Sequence, residues 1–276
     1  MDIRLIAMDL DGTALQEDRC HFSPRLTAAL DAAYERGVAI VPVTGRQFDL
    51  LPPAVTQLRK WSDLAVLCNG GQIRELKTGK ALFCLTIPKT ALEQLHALAE
   101  KFSIALEFSR EGRLHLTQQS YDAQLDDPRL HFHVHTILAK NGVIVDSLLP
   151  LCREDTVEKV QLPRIPLHLH REVEDALKQI DVSAVWSSPT SMEITHSLAT
   201  KGNALMQLSR LKNIPPETMM ALGDSGNDIS MLRRAGLGIA MGNAPDFVKA
   251  AADGVTETNF NDGAAIAIEH YVLHSN

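Results

Sequence analysis

The sequence lacks the features that mark several broad classes of protein. None of its apolar runs approaches the roughly 20 residues that a helix needs to cross a bilayer. The apolar run near the first residue is short and an acid interrupts it, so we expect no secretory signal peptide. No basic run stands out, and the net charge is −7. Nucleic acids and anionic membranes are therefore poor candidate partners.

Cysteine is also scarce, and its spacing is uninformative. The four cysteines, Cys20, Cys68, Cys84 and Cys152, form no CxxC pair and no pattern typical of a zinc site. We therefore expect free thiols in a reducing cytoplasm. The chain has 276 residues, of which 45% are hydrophobic. This is enough for one large domain or two smaller ones.

Short apolar segments that end in polar residues recur along the chain and predict a parallel sheet. They are LIAM, VAIVPV, LAVLC, MMALG and GLGIAM, and helical patterns follow most of them. Strands that alternate with helices form parallel sheets, in which ligands bind beyond the carboxyl ends of the strands. The residues at these ends are therefore predicted to share one edge of the sheet: Asp9, Thr44, Asn69, Asp224 and Asn243.

The middle of the chain has a different pattern, in which helices precede pairs of strands. A helical pattern around Leu92 precedes two hairpin-like strands, and another around Val173 precedes two more. This order is typical of an α+β domain. The predicted fold class is therefore α/β, with a Rossmann-like parallel-sheet core at residues 1–85 and 190–276. The α+β domain is inserted at residues 86–189.

Three histidines alternate with other residues in the segment LHFHVHTIL. The segment is predicted to be a strand that presents His131, His133 and His135 on one face. The histidines could bind zinc, contact a substrate, or belong to a partly exposed face with no special role. The last interpretation is favoured, because no fourth zinc ligand is evident.

Asp9 and Asp11 place two carboxylates next to each other at the end of the first strand. In an extended backbone, side chains two residues apart face the same way, so these two would repel. A divalent cation removes the conflict. Asp224, Asn227 and Asp228 offer further oxygen ligands at another strand end. A small number of hard oxygen ligands predicts Mg²⁺ that retains several waters.

Four motifs in order resemble those of the haloacid dehalogenase superfamily. They are DLDGT at 9–13, VTGR at 43–46, TKGNAL at 200–205 and GDSGND at 223–228. Their order and spacing resemble the phosphatase branch, and the large insertion after the second motif is similar to the type IIB cap of the Cof-type group. The resemblance covers residues 1–85 and 190–272, whereas the inserted domain is similar only in length and element order.

The resemblance implies chemical roles for the motif residues. Asp9 would be the nucleophile that forms an aspartyl-phosphate, and Asp11 would be the general acid and base. Thr44 and the Gly45 amide would bind a phosphoryl oxygen. Lys201 would bridge Asp9 and the phosphoryl group, where it stabilises developing charge.

The resemblance also implies metal and substrate contacts. Arg46 and Asn69 would contact phosphate or the rest of the substrate. The implied metal ligands are Asp9, the backbone carbonyl of Asp11 and Asp224, with Asn227 and Asp228 in or just behind the coordination sphere.

These features predict a cytoplasmic, Mg²⁺-dependent phosphatase of small phosphorylated metabolites. Sugar phosphates are the preferred class, with nucleotides or pyridoxal phosphate as alternatives, and the protein would be a monomer or a small homo-oligomer. The resemblance implies that the inserted domain closes over the core and selects the leaving group. A phosphomutase and a non-catalytic protein that binds a phosphorylated ligand stay open as alternatives. The presence of both a nucleophile and a general acid argues against the second, since a binding protein needs neither.

Overall fold

A computed structural model describes residues 2–57 and 59–274 of the chain. The chain folds into two compact units, Met1–Phe83 with Thr200–Asn276, and Cys84–Ala199. None of the described helices is long and apolar enough to cross a membrane.

The strands are short, and most have three to seven residues. In chain order they are β1 (Leu5–Met8), β2 (Ala39–Pro42), β3 (Leu64–Leu67), β4 (Gln72–Glu75), β5 (Ala81–Cys84), β6 (Glu107–Arg110), β7 (Arg113–Leu116), β8 (Gly142–Ile144), β9 (Lys159–Leu162), β10 (Val182–Ser188), β11 (Ser191–His196), β12 (Met219–Gly223), β13 (Leu237–Ala240) and β14 (Gly254–Val255).

The helices vary more in length. In chain order they are α1 (Pro24–Glu35), α2 (Pro53–Thr56), α3 (Lys89–Phe102), α4 (Gln118–Leu125), α5 (Ala139–Asn141), α6 (Leu149–Cys152), α7 (His170–Leu177), α8 (Lys201–Lys212), α9 (Ile229–Leu232), α10 (Asp246–Lys249) and α11 (Gly263–Ile268).

The first unit is built on a parallel sheet of five strands. Their order is β14-β13-β12-β1-β2, so the first strand of the chain lies between strands from opposite ends of the sequence. β1 is buried because the sheet is covered on both faces. Ile6 packs in one core with Leu30 of α1, whereas its neighbour Leu5 packs in a second core with Leu205 of α8. The predicted parallel-sheet core is confirmed.

Strand β3 differs from the prediction. It meets the parallel sheet through one parallel bridge between Val43 and Val66, and Thr44 N–H donates to the Val66 carbonyl at 2.9 Å. β3 then pairs antiparallel with β4, in a separate sheet of order β3-β4-β5. The end of β3 nevertheless stays beside the end of β2.

The second unit contains a six-stranded sheet of order β10-β11-β9-β6-β7-β8. Its pairs are antiparallel except β7 with β8. Phe108 and Val160 of the sheet pack with Leu92 of α3 and Val173 of α7. This is the predicted α+β architecture. The predicted domain boundary stood at residue 189, whereas this unit continues to Ala199, because β11 pairs with both β9 and β10.

The predicted histidine strand is wrong. A π-helical stretch at His133–Leu138 continues directly into α5. Leu130, Val134 and Leu138 recur every four residues, and they pack together against Leu114 of β7. This helical spacing decides the conformation, because it buries one apolar stripe.

The helix separates the three histidines into different environments. The Nε2 atom of His133 lies 2.9 Å from a carboxylate oxygen of the buried Glu107. His131 and His135 stand four residues apart, and their rings are in tilted contact with centroids 4.4 Å apart. They belong to no group of three or more metal-ligating side chains within the described parts of the chain. The zinc interpretation is therefore unsupported.

Two glycines offer a matched test of packing between β3 and α8. Gly70 has φ +104°, and a Cβ there would lie 2.3 Å from the Thr200 carbonyl oxygen. Gly37 has φ +85°, but no atom lies within 4 Å of its Cβ position. We expect Gly37→Ala to lower the free energy of unfolding by about 1–3 kcal/mol, through backbone strain alone. Gly70→Ala should lower it by more, because the backbone must also move.

Denaturant unfolding of the two variants measures this difference. Equal losses of unfolding free energy in the two variants would show that the close approach of Thr200 to Gly70 does not limit the side chain at position 70.

Candidate active site

The carboxyl ends of β1 and β12 bring two acidic segments together. β1 leads into Asp9, whose N–H donates to the Leu222 carbonyl at 3.0 Å, and β12 leads into Asp224. Carboxylate oxygens of Asp9, Asp224 and Asp228 lie within 4.8 Å of one another. Within residues 2–57 and 59–274, no other group of three metal-ligating side chains comes together in this way.

Lys201 lies between two of these carboxylates. Its Nζ atom is 2.5 Å from Asp9 Oδ1 and 2.5 Å from Asp228 Oδ1, and its side chain is only 1% exposed. Lys201 is the first residue of α8, and the Thr200 hydroxyl accepts the Asn203 N–H to cap this helix. The predicted contact between Lys201 and Asp9 is therefore present in the geometry.

Burial and charge act against each other in this cluster. Burial alone would lower the pKa of Lys201, but the charges of Asp228 and Asp9 raise it above its usual value. Burial raises the pKa of Asp9, although Lys201 opposes the shift. Burial and the neighbouring Asp228 raise the pKa of Asp224 to about 6. One ammonium among three carboxylates leaves negative charge in excess, so the cluster favours a cation.

Asp228 accepts hydrogen bonds from its own segment at one carboxylate oxygen and from Lys201 at the other. Its Oδ2 atom accepts the N–H groups of Asp224 and Ser225, each at 2.9 Å, and the Ser225 hydroxyl at 3.2 Å. Ser225 is the N-cap of the next turn, and Asp228 closes the capping box. Since Oδ1 holds Lys201, Asp228 serves to position the lysine and the loop.

The turn after Asp9 encloses Asp224. The Thr13 hydroxyl donates to Asp224 Oδ1 at 2.9 Å, and Thr13 is buried. Gly12 has φ +83°, and a Cβ there would lie 2.5 Å from Asp224 Oδ2, so glycine is required. Asn243 Nδ2 donates to the Gly12 carbonyl at 2.9 Å and closes this edge. Sequence reasoning missed Thr13, although its place in the DLDGT motif was a signal.

Asp11 and Arg46 have partners that the sequence did not predict. Arg46 donates to Asp11 through Nε at 2.8 Å and through a terminal nitrogen at 2.6 Å. The Asp11 carboxylate lies outside the group formed by Asp9, Asp224 and Asp228, and Arg46 holds it. The predicted metal contact of Asp11 is its backbone carbonyl. In this structure the Arg46 side chain, predicted to contact phosphate or the rest of the substrate, holds Asp11.

The ends of β2, β3 and β12 are joined by hydrogen bonds. The Asn69 N–H donates to the Thr44 carbonyl at 3.1 Å, and Asn227 Nδ2 donates to Asn69 Oδ1 at 2.9 Å. A Cβ on Gly45 would lie 2.9 Å from the same Asn69 oxygen. Thr44 Oγ1 accepts the Arg46 N–H at 3.1 Å. The residues that were predicted to bind phosphate are therefore connected by hydrogen bonds to the acidic loop that follows β12.

Comparison with known proteins identifies the family. The family described as haloacid dehalogenase-like hydrolase matches residues 6–268. The chain belongs to this family. This confirms the resemblance drawn from the four motifs, and with it the enzyme class, a phosphatase that hydrolyses phosphate monoesters.

Individual relatives cover almost the whole of this hydrolase. It is 30% identical to the pyridoxal phosphate phosphatase YbhA of Escherichia coli, over 99% of this chain and 100% of that protein. It is 29% identical to the 5-amino-6-(5-phospho-D-ribitylamino)uracil phosphatase YcsE of Bacillus subtilis, over 99% and 97%. The structure of the subclass IIB sugar phosphatase BT4131 has a TM-score of 0.80 and 26% identity, over 97% and 98%.

The contact between Asp11 and Arg46 leads to a testable prediction, for which another arginine provides a control variant. We expect Arg46→Ala to lower kcat/KM for p-nitrophenyl phosphate by about tenfold or more, because general acid catalysis depends on a positioned group. Arg25→Ala removes a similar two-nitrogen pair with Glu269 elsewhere in the same unit, and it should leave kcat/KM nearly unchanged. Equal activities of the two variants would contradict a role for Arg46 in catalysis.

Proposed function

We propose that this hydrolase is a Mg²⁺-dependent phosphatase of small phosphate monoesters, with sugar phosphates as its preferred class. The observation that carries the proposal is the buried Lys201 between Asp9 and Asp228, with Asp224 alongside. This arrangement keeps a carboxylate nucleophile next to fixed positive charge. Phosphoryl transfer depends on such positioning and charge compensation more than on unusual reactivity.

The donor set fits a magnesium ion. Carboxylate oxygens are hard ligands, and Mg²⁺ is commonly bound through one or two carboxylates with several waters retained. Asp224 supports this choice, because burial and then the neighbouring Asp228 raise its pKa to about 6, and a bound cation would favour its ionised form. Asp9 and Asp224 would hold the ion, with the Asp11 carbonyl. When bound, Mg²⁺ supplies positive charge that stabilises the transferring phosphoryl group.

Asp9 is proposed to act as the nucleophile. Its carboxylate oxygen forms a bond to phosphorus while the ester P–O bond breaks, which gives an aspartyl-phosphate and an alcohol. Lys201 orients Asp9 and stabilises charge on the phosphoryl oxygens. Thr44 and the Gly45 amide donate to the same phosphoryl group. A water then attacks the aspartyl-phosphate and releases inorganic phosphate.

Asp11 is proposed to handle the protons. It gives a proton to the departing alkoxide, and later takes one from the attacking water. Arg46 holds both carboxylate oxygens of Asp11, so it must loosen its hold when Asp11 approaches the departing oxygen. Arg46 thus positions Asp11 between the two steps.

Two relatives support small phosphate esters as substrates. BT4131 is a sugar phosphatase, and YbhA is a pyridoxal phosphate phosphatase. The substrates of these two enzymes have different leaving groups, and both enzymes are similar to this chain over nearly its full length. What the two substrates share is the phosphate monoester. Sugar phosphates are preferred here on the resemblance to the Cof-type group, and the sugar phosphatase BT4131 supports that preference.

Substitution of the nucleophile tests the mechanism. Asp9→Asn should abolish phosphate release while circular dichroism shows a retained fold, because the amide cannot attack phosphorus effectively. Asp246→Asn changes an exposed acid in the first turn of α10, and it should keep full activity. Normal turnover by the Asp9 variant, with deamidation excluded by mass spectrometry, would overturn the assignment.

Removal of metal tests the cofactor. We expect EDTA to stop the hydrolysis of p-nitrophenyl phosphate and added Mg²⁺ to restore it. Asp224→Asn should raise the Mg²⁺ concentration needed for half-maximal rate by about ten- to 100-fold, the size of effect seen for groups that position a metal. A rate that is unaffected by EDTA would contradict the magnesium site.

A panel of phosphate esters tests the substrate class. Sugar phosphates, nucleotides and pyridoxal 5′-phosphate are compared by phosphate release with Mg²⁺ present. The highest kcat/KM is expected for a sugar phosphate, and a higher value for either other class would replace this preference. Formation of an isomeric sugar phosphate without phosphate release would indicate a mutase.

A further inference from the structure

The second unit contains a cavity that the proposed catalytic residues do not line. Its volume is about 380 Å³, within the range of small-molecule sites. It is lined by Arg129, Arg164, Thr190 and residues 165–168, which follow β9. No acidic side chain belongs to this lining.

One buried carboxylate holds the two arginines of the cavity together. Arg129 donates to Asp127 through Nε at 2.8 Å and through a terminal nitrogen at 2.6 Å. Arg164 places Nε 3.4 Å from the same carboxylate, and a terminal nitrogen donates to the Ala123 carbonyl at 2.7 Å. Arg129 keeps the pKa of Asp127 at about 2, so this acid stays ionised.

The charge balance around Asp127 is positive. One carboxylate offsets one of the two guanidinium groups, and each guanidinium keeps donor capacity beyond these contacts. Both arginine side chains are half-exposed, at 60% and 47%, whereas the Asp127 side chain is 4% exposed. The carboxylate is therefore behind the arginines, and the cationic groups are accessible from solvent.

The rest of the lining adds an apolar wall and a helix start. Ile165 and Leu167 flank Pro166, and a helical turn begins at Leu167 and runs into α7. Leu167 is 70% exposed, so an accessible apolar surface belongs to the same lining as the two arginines.

We propose that this cavity binds a small organic anion, whose phosphate or phosphonate group sits between Arg129 and Arg164 and whose apolar body packs on Leu167. Arginine pairs match the geometry of such oxyanions. The site belongs to the second unit alone, and it stands independently of the phosphatase mechanism.

Phenylphosphonate is a suitable probe, because its C–P bond is not an ester that the enzyme could hydrolyse. The full-length protein, kept metal-free with EDTA, is titrated while backbone amide NMR signals are followed. We expect shifts at residues 164, 165, 167 and 168 and at Thr190 that follow one binding curve. Inorganic phosphate should bind there more weakly, since it lacks the apolar body. Shifts confined to the segments around Asp9, Thr44 and Asp224 would overturn the proposal.

Matched variants separate the site from general charge effects. Arg129→Gln and Arg164→Gln should each raise the Kd at these residues by about tenfold or more, since hydrogen bonds to charged groups contribute about 1.5–3 kcal/mol. Arg110→Gln removes another arginine of the same unit, one that pairs with Glu154, and should leave the Kd unchanged. Equal Kd values for all three variants would refute the proposal.

Two further measurements distinguish a loss of binding from a loss of folded structure. Circular dichroism should show a retained fold for both Arg129→Gln and Arg110→Gln, although thermal unfolding should show a lower midpoint for Arg129→Gln, because Arg129 pairs with the nearly buried Asp127 and Arg110 with the half-exposed Glu154. Leu167→Ala keeps both arginines and should weaken phenylphosphonate while leaving inorganic phosphate unchanged. If Leu167→Ala weakens neither ligand, the apolar part of the proposal is wrong.

Discussion

A buried ammonium group between two carboxylates is the constraint on which the active site depends. Lys201 and Asp228 are almost fully buried, and taking such charges out of water costs several kcal/mol per ion unless they are paired and hydrogen-bonded. Asp228 meets this demand with four donors, and Asp9 receives the second contact of the ammonium. Because removal of Lys201 would leave buried carboxylates without their ammonium partner, Lys201 fixes both Asp9 and the loop that carries Asp228.

The parallel sheet makes this cluster possible. β1 lies between β12 and β2, so Asp9 emerges next to residues that are about 200 positions away in the chain. α8 crosses the opposite face through Leu205 and delivers Lys201 at its first turn. Gly12 leaves room for the Asp224 carboxylate, and Gly70 leaves room for the Thr200 backbone. Packing of an ordinary apolar core thus places the chemical groups, and no special backbone feature is needed beyond those turns.

Much of the site was predictable because the motifs occupy strand ends, whose positions follow from topology. Asp9, Asp224 and Lys201 were all expected to meet, and they do. The contact between Asp11 and Arg46 was not predictable, because the direction of a side chain in a tight turn depends on dihedral angles that the sequence pattern does not encode. The histidine segment failed for another reason. Alternation of His residues suggested a strand, while the four-residue spacing of Leu130, Val134 and Leu138 favoured the helix that forms.

The sequence by itself determined the family, the parallel-sheet core and the identity of the side chains that we propose to react. These follow from short motifs and from the apolar segments that precede them, both of which are local properties of the chain. The tertiary structure decided which charges pair. Only it showed that Asp228 accepts a hydrogen bond from Lys201, that Arg46 holds Asp11, and that two arginines of the second unit share one carboxylate. Such pairings depend on distances between segments remote in sequence, and those distances exist only after the cores have packed.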